Sequence, residues 1–296
     1  MEACRKLCGG HGYLSSAGFA EIQLSFLPFC TLEGTKEVLY QQTGRYLLKT
    51  LLLQTDKPSA NVAYLLEQNH RPDVPFGLPD FDISTTTHEY ASLATSLVQV
   101  LESRSRHFAT LVLSAFQHRL ASGLLEGDSF TAIGVELCSC AEYHSHLLVA
   151  KSFAAGVSSL ESDACQLNSG EIKVMRTLLL LHLVQRILED SGSFLISNAI
   201  PISILETLSK FRNHLVASIA PHALNLIEAY QFSDKRLDSV LGRRDGNVYS
   251  SMMEVSRAEP LNHGAAAEGQ RYILQMLDSK KTKKAASKTP GPKSRL

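Results

Sequence analysis

Tryptophan is absent from the 296 residues, and the β-branched alternation that marks half-buried strands is scarce. That scarcity argues against a sheet-built fold. No apolar run is long. The longest, "LLLLHLV" at 178–184, falls far short of the ~20 residues a spanning helix needs, so no membrane span is expected. The six cysteines (Cys4, Cys8, Cys30, Cys138, Cys140 and Cys165) are too sparse for a secreted disulfide scaffold. Cys4, Cys8 and His11 match no common zinc spacing, and Gly9 and Gly10 break the helix that would align them, so no metal site is expected. No signal-peptide pattern opens the sequence. A soluble protein of a reducing compartment is the expectation.

Net charge is zero, with 29 basic and 29 acidic residues, but the balance is lopsided. Residues 279–296 hold six Lys and one Arg and no acid. With Pro290, Gly291 and Pro292 and almost no large apolar residue, this stretch reads as a solvated, flexible basic tail. Nucleic-acid binding is not expected, because no basic face accompanies the tail. The tail closes on Ser294-Arg295-Leu296, a conservative variant of the Ser-Lys-Leu peroxisomal address. Peroxisomal localisation, through an import receptor that reads this tripeptide, is the expectation.

What is present is helical period nearly throughout. From 90 to 120, Tyr90, Leu93, Leu97, Leu101, Phe108, Val112, Ala115 and Leu120 recur at spacings near three or four, with one gap at Ser105. Glu102, Arg104, Arg106 and Gln117 fall between them, as on the polar side of a long amphipathic helix. A second helix is expected over 128–156, capped by Asp128 or Ser129. A third, over 171–189, carries the stripe Ile172, Met175, Leu179, Leu183 and Ile187, widened by Leu178, Leu180 and Leu181. Helices also fit 201–217, 221–230 and 266–278, with Pro201 and Pro221 in first turns. Between 57 and 87 the period stops, and Pro72, Pro75, Gly77 and Pro79 crowd together. The expected layout is an N-terminal helical piece (1–56), an ordered linker (57–87), a helical bundle (88–278) and the tail (279–296). Leu47, Leu48, Leu51, Leu52 and Leu53 make a helix too apolar for a piece of that size to bury.

Two segments carry chemistry. In "CRKLCGGHGYLSSAGF", residues 4–19, Gly9, Gly10 and Gly12 follow a short helical stretch. Glycines there let the backbone approach a ligand and turn successive N–H groups toward an anion; a glycine helix cap accounts for Gly9 or Gly10 equally well. In "CTLEGTKEVLYQQTGRYLLK", residues 30–49, Glu33-Gly34-Thr35 precede a helix that begins near Lys36. The helix dipole favours the charged carboxylate of Glu33, and its apolar neighbours Phe26, Leu27, Phe29 and Leu32 favour the neutral form. Opposed forces of this kind poise a general base; a helix-terminal acid that merely interacts with the dipole is the other reading.

These segments resemble the acyl-coenzyme A oxidases of the peroxisome. The likeness lies in "CGGHGY", the spacing to "CTLEGT", the following "LYQQTGRYLLK", and a second block, "AYQFSDKRLDSVLGRRDGNVY" at 229–249. The resemblance implies an all-α chain: the second half of an acyl-CoA dehydrogenase-type C-terminal helical domain, then the oxidase C-terminal helical bundle. It implies FAD-dependent oxidation of a fatty acyl-CoA to a trans-2-enoyl-CoA, with electrons passing to O2 to give hydrogen peroxide. It makes Glu33 the base that removes the α-proton, lets Gly34 pass close to the substrate, and brings Thr35 to the flavin nucleotide. Gly9, Gly10 and Gly12 would approach the dinucleotide, that of the other subunit in a homodimer. Two departures stand out: Leu32 where an aromatic residue commonly precedes the acid, and "EGTK" in place of "EGDN" or "EGEN", nearer the "EGT" of the dehydrogenases. The family's N-terminal helical domain and β-domain have no counterpart here, and Met1 falls inside a helix already under way, so a C-terminal fragment is expected. The alternative function is a catalytically silent helical module for peroxisomal interaction or assembly.

Overall fold

The computed structural model describes residues 1–54, 58–67, 87–160 and 167–286. Most of the expected linker, and the Ser294-Arg295-Leu296 tripeptide, lie outside them. Among the described residues the regular structure is helical: α1 (Glu2–Leu7), α2 (Phe19–Phe26), α3 (Lys36–Leu53), α4 (Thr87–Ala121), α5 (Glu126–Ala132), α6 (Gly134–Ser159), α7 (Ser169–Glu189), α8 (Ser191–Ile196), α9 (Ile204–Ile219), α10 (Ala223–Glu228), α11 (Asp234–Leu237), α12 (Val248–Ala258) and α13 (Ala265–Ala286), with short 3-10 turns between some of them. None of these helices is long and apolar enough to cross a membrane. The chain divides into two compact units, residues 29–230 and residues 1–28 with 231–296.

The larger unit is a bundle around α4. Leu93, Leu97, Val100, Leu101, Ala109, Val112 and Phe116 are buried at the spacing of one helical face, and α3, α6 and α7 pack on them. The gap in that stripe is filled by a buried polar group that has hydrogen-bond partners. The buried hydroxyl of Ser105 donates toward the carbonyls of Leu101 (2.9 Å) and Tyr143 (3.2 Å). α7 buries Leu179, Leu180, Leu183, Val184 and Ile187. Its start is fixed by a reciprocal cap: Asn168 Oδ1 accepts from the Glu171 N–H, and the Glu171 carboxylate accepts from the Asn168 N–H. The leucine-rich helix is α3. Leu47 and Leu48 are buried in the same core as α4 and α6, while Leu52 and Leu53 stay exposed.

Three expectations are corrected. Arg104 and Arg106 do not lie on a polar face, because elements close over α4 on more than one side. Arg104 is 0% exposed, its guanidinium stacked between the rings of Tyr143 (4.4 Å) and Phe194 (4.1 Å), with Nη1 donating to Asp190 Oδ2 at 3.2 Å. Burial pushes its pKa down to about 10, against the opposing pull of Asp190. Arg106 Nε donates to the Tyr64 carbonyl (2.7 Å) and fastens the 63–65 turn to α4. The expected helix over 128–156 is two helices, α5 and α6, broken where Ile133 turns fully into the core. Neither Asp128 nor Ser129 caps it: the N-cap of α5 is Leu125, and Ser129 lies inside the helix with its hydroxyl buried. Pro201 precedes α9, in a turn whose carbonyl accepts from the Ile204 N–H, whereas Pro221 does open a 3-10 turn.

The smaller unit is built from both ends of the chain. The Val240 N–H donates to the Ser16 carbonyl (2.9 Å), and the Ser239 hydroxyl donates to the Ala17 carbonyl (2.7 Å). The 229–249 block thus meets the stretch that follows the glycine-rich loop, more than 200 residues earlier in sequence.

Candidate functional site

Glu33 stands in the turn that leads into α3. The Gly34 N–H donates to the Thr31 carbonyl (3.2 Å), and Gly34 takes φ +125°, a conformation that only glycine adopts easily. A Cβ there would make ordinary contact with Leu39 at 3.5 Å, so the backbone angle and not crowding demands the glycine. Thr35 is the N-cap of α3, with extended angles (φ −76°, ψ 151°), yet its hydroxyl makes no capping bond. The first-turn amides of an 18-residue helix therefore face outward without a side-chain acceptor from Thr35. The Glu33 carboxylate is exposed, and Phe29 and Leu32 are each 70% exposed. The apolar wall expected around Glu33 does not form within this chain.

What the structure adds is the brace behind this turn. α3 crosses α6 so closely that a Cβ on Gly44 would lie 2.7 Å from the Leu137 carbonyl oxygen. Lys36 Nζ donates to Glu142 Oε1 at 3.1 Å, and the Cys138 thiol approaches the Glu37 carbonyl at 3.5 Å. Burial pushes the Cys138 thiol pKa up, and nearby Glu37 adds to the effect. Sequence reasoning singled out none of these α6 residues. Their signal is a meeting of positions about a hundred residues apart, and no local pattern carries it.

The three glycines of "GGHGY" separate by physical cause. Gly9 takes φ +61° just after α1 and has open space around it, which is the cap reading. Gly12 is buried, and a Cβ on it would fall 2.3 Å from the Arg5 carbonyl oxygen, so packing inside the loop requires it. Gly10 is exposed, has no positive φ, and would meet nothing within 4 Å. His11 rests edge-on against the Tyr249 ring (centroids 5.7 Å), and Arg5 lies over the Tyr13 ring (5.6 Å). In the same unit Arg243 pairs with Asp245, which also accepts from the Asn247 N–H (3.0 Å). Arg243 first, then that N–H, hold the Asp245 carboxyl down at about 2. A cavity of 790 Å³ in this unit is lined by Ser16, Gly18, Asp234, Arg243 and Met252 among others. The larger unit has one of 560 Å³ between α7 and the α9–α10 corner, lined by Val174, Met175, Ile219, His222 and Leu226. Neither has a sequence-predicted site residue in its wall.

The sequence profile described as "Acyl-CoA oxidase" matches residues 94–278, and that of "Acyl-CoA oxidase, C-alpha1 domain" matches residues 1–48. The chain belongs to the acyl-CoA oxidase family. Within this family it is 30% identical over 282 residues to peroxisomal acyl-coenzyme A oxidase 1 of Mus musculus, covering 95% of this chain and 41% of the relative. Among solved structures, Arabidopsis thaliana acyl-CoA oxidase 1 matches with TM-score 0.78 at 28% identity, over 93% of this chain and 40% of its own. Acyl-CoA oxidase-2 of Caenorhabditis elegans, bound with FAD, ascaroside-CoA and ATP, matches with TM-score 0.79 at 24% identity, over 95% of this chain and 39% of its own. The second of these likenesses speaks to the fold alone. This acyl-CoA oxidase family chain spans about two fifths of the length of the relatives it matches.

Proposed function

We propose that this chain serves the FAD-dependent oxidation of fatty acyl-CoA to trans-2-enoyl-CoA in the peroxisome, the first step of fatty acid β-oxidation there. FAD, when bound, supplies the hydride acceptor whose electrons pass on to O2 as hydrogen peroxide. Glu33 takes the α-proton of the thioester, and its backbone N–H helps to polarise the thioester carbonyl. A thioester α-proton is weakly acidic, so the step needs a positioned base and fixed dipoles on the developing enolate oxygen. Gly34 keeps the chain free of a side chain where the substrate passes. The observation that carries this reading is the Glu33-Gly34-Thr35 turn at the open end of α3, within a member of the acyl-CoA oxidase family.

The residues present fit a phosphate-bearing cofactor. Thr35 has a hydroxyl not spent on capping, at a helix N-terminus that favours anions. Gly10 leaves open space beside a loop backbone. Thr35 and the loop glycines are the residues that would hold FAD, with the glycines serving the partner copy in a homodimer. Peroxisomal import through Ser294-Arg295-Leu296 agrees with relatives that are named peroxisomal.

A second reading, a catalytically silent helical module for assembly, is favoured by the exposure of Phe29 and Leu32 around Glu33. Purified chain mixed with FAD discriminates them: a retained flavin absorption supports the oxidase, and its absence rejects activity of this chain by itself. In an assembly that turns over fatty acyl-CoA, Glu33→Gln is expected to abolish hydrogen peroxide production while the flavin stays bound. Turnover near the unaltered level would remove Glu33 from the role of base.

A further inference from the structure

The proposed base has a cation three residues away. Lys36 carries a compact ammonium on a flexible four-carbon stem, able to fold toward any nearby carboxylate. An ammonium resting on Glu33 would stabilise its anion and weaken it as a proton acceptor. In the structure the ammonium is directed elsewhere. It donates to Glu142 Oε1 on α6 at 3.1 Å, and it lies over the Tyr40 ring at 5.0 Å. The contact spans 106 residues of sequence, so it is set by the α3–α6 crossing and not by local chain geometry.

We propose that Glu142 is a positioning residue that draws the Lys36 ammonium off Glu33 and leaves that carboxylate free to accept a proton. The consequence for catalysis rests on the reading of Glu33 as the base. Both partners are substantially exposed, with side-chain accessibilities of 56% for Lys36 and 39% for Glu142. A pair that wet adds little to stability, and its effect is to choose where one charge sits. The charged and titratable groups around it are consistent. Glu37 and Tyr40 on α3 also face Lys36, while Cys138 and His146 on α6, with Arg104 on α4, feel the charge of Glu142. The hydrogen bond from Lys36 to Glu142 is the largest influence on Lys36 and raises its pKa against the opposing effect of burial. Glu37 neighbours Lys36 in sequence, but its carbonyl is approached by the Cys138 thiol.

Zero-length carbodiimide coupling, read by peptide mass spectrometry on the 296-residue chain, reports which carboxylate the ammonium faces. The unaltered chain is expected to give a Lys36–Glu142 link and little Lys36–Glu33 link. Glu142→Gln should lose the first and gain the second. Glu142→Asp, which keeps the charge, should restore coupling at position 142 and suppress coupling to Glu33, with an unchanged melting midpoint in both variants. A prominent Lys36–Glu33 link in the unaltered chain overturns the proposal. So does a Glu142→Gln chain in which Lys36 couples only to Glu37 or to nothing. The link map involves no turnover, so it fails or succeeds separately from Glu33→Gln, which tests the base itself.

Discussion

Gly10 and Gly12 stand two residues apart in one loop and face opposite surroundings. A methyl group on Gly12 would press into the Arg5 carbonyl, a backbone atom that cannot swing aside. Gly12→Ala is expected to cost about 1–3 kcal/mol, the usual penalty of overpacking, in urea unfolding followed by circular dichroism. Gly10→Ala meets open space and is expected to change stability by no more than about 0.5 kcal/mol. It is therefore a clean probe: if Gly10→Ala weakens FAD retention without loss of stability, the loop backbone approaches the cofactor. The sequence offered the cap reading for Gly9 or Gly10 and could not show the packing role of Gly12, because identity does not reveal what a Cβ would meet. Glu33 was legible as an acid at a helix entrance. Its exposure was not legible, because apolar neighbours along the chain need not be neighbours in a wall.

At the scale of elements, α3 is positioned by how closely it can approach α6. Gly44 is the residue that permits the crossing, and Gly44→Val is expected to destabilise the chain by about 1–3 kcal/mol, read as a lower urea midpoint with an unchanged slope. α6 and α7 hold three histidines whose charged forms are disfavoured. Burial lowers the pKa of His144 first, with Lys151 adding to it. Burial, then Arg104 and Arg186, lower that of His146; burial, then Arg186, lower that of His182. The ordinary imidazole value is 6.5. Below it the unfolded chain takes up protons that the folded chain refuses, so stability is complete above this pH and is lost as pH falls beneath it. The melting midpoint should drop between about pH 7.5 and about pH 5.5, and His182→Leu should flatten the decline. His144 also accepts or donates at 3.0 Å with the buried Tyr64 hydroxyl, which ties the 63–65 turn to α6. The existence of α4 and α7 and their apolar stripes were readable from period, whereas α12 and the burial of Arg104 and Arg106 were not. The α5–α6 break was not, because Ile133 and Gly134 continue an acceptable helical pattern, and only core packing turns Ile133 inward.

For the whole molecule, the division into residues 29–230 and the joined ends makes different demands on different bonds. The unit of the two ends is stitched by contacts more than 200 residues apart, with Ser239 donating to Ala17 and Val240 to Ser16. Ser239→Ala removes one such bond, worth about 1 kcal/mol. Faster amide hydrogen exchange is expected at residues 16–18 and at Val240, while protection along α4 and α7 stays unchanged. Equal loosening in both units would show that they open as one.

The amino-acid sequence by itself determined the helical class, the long amphipathic faces of α4 and α7, and the family motifs, because each is a local pattern of spacing or identity. Tertiary structure alone decided that Arg104 is buried between two rings, that Lys36 turns to Glu142, that Gly12 is demanded by packing, and that residues 239–240 close on residues 16–17. A helical period fixes which side chains share a face. Which faces meet, and which charge is left facing water, follows from packing between positions that no local pattern connects.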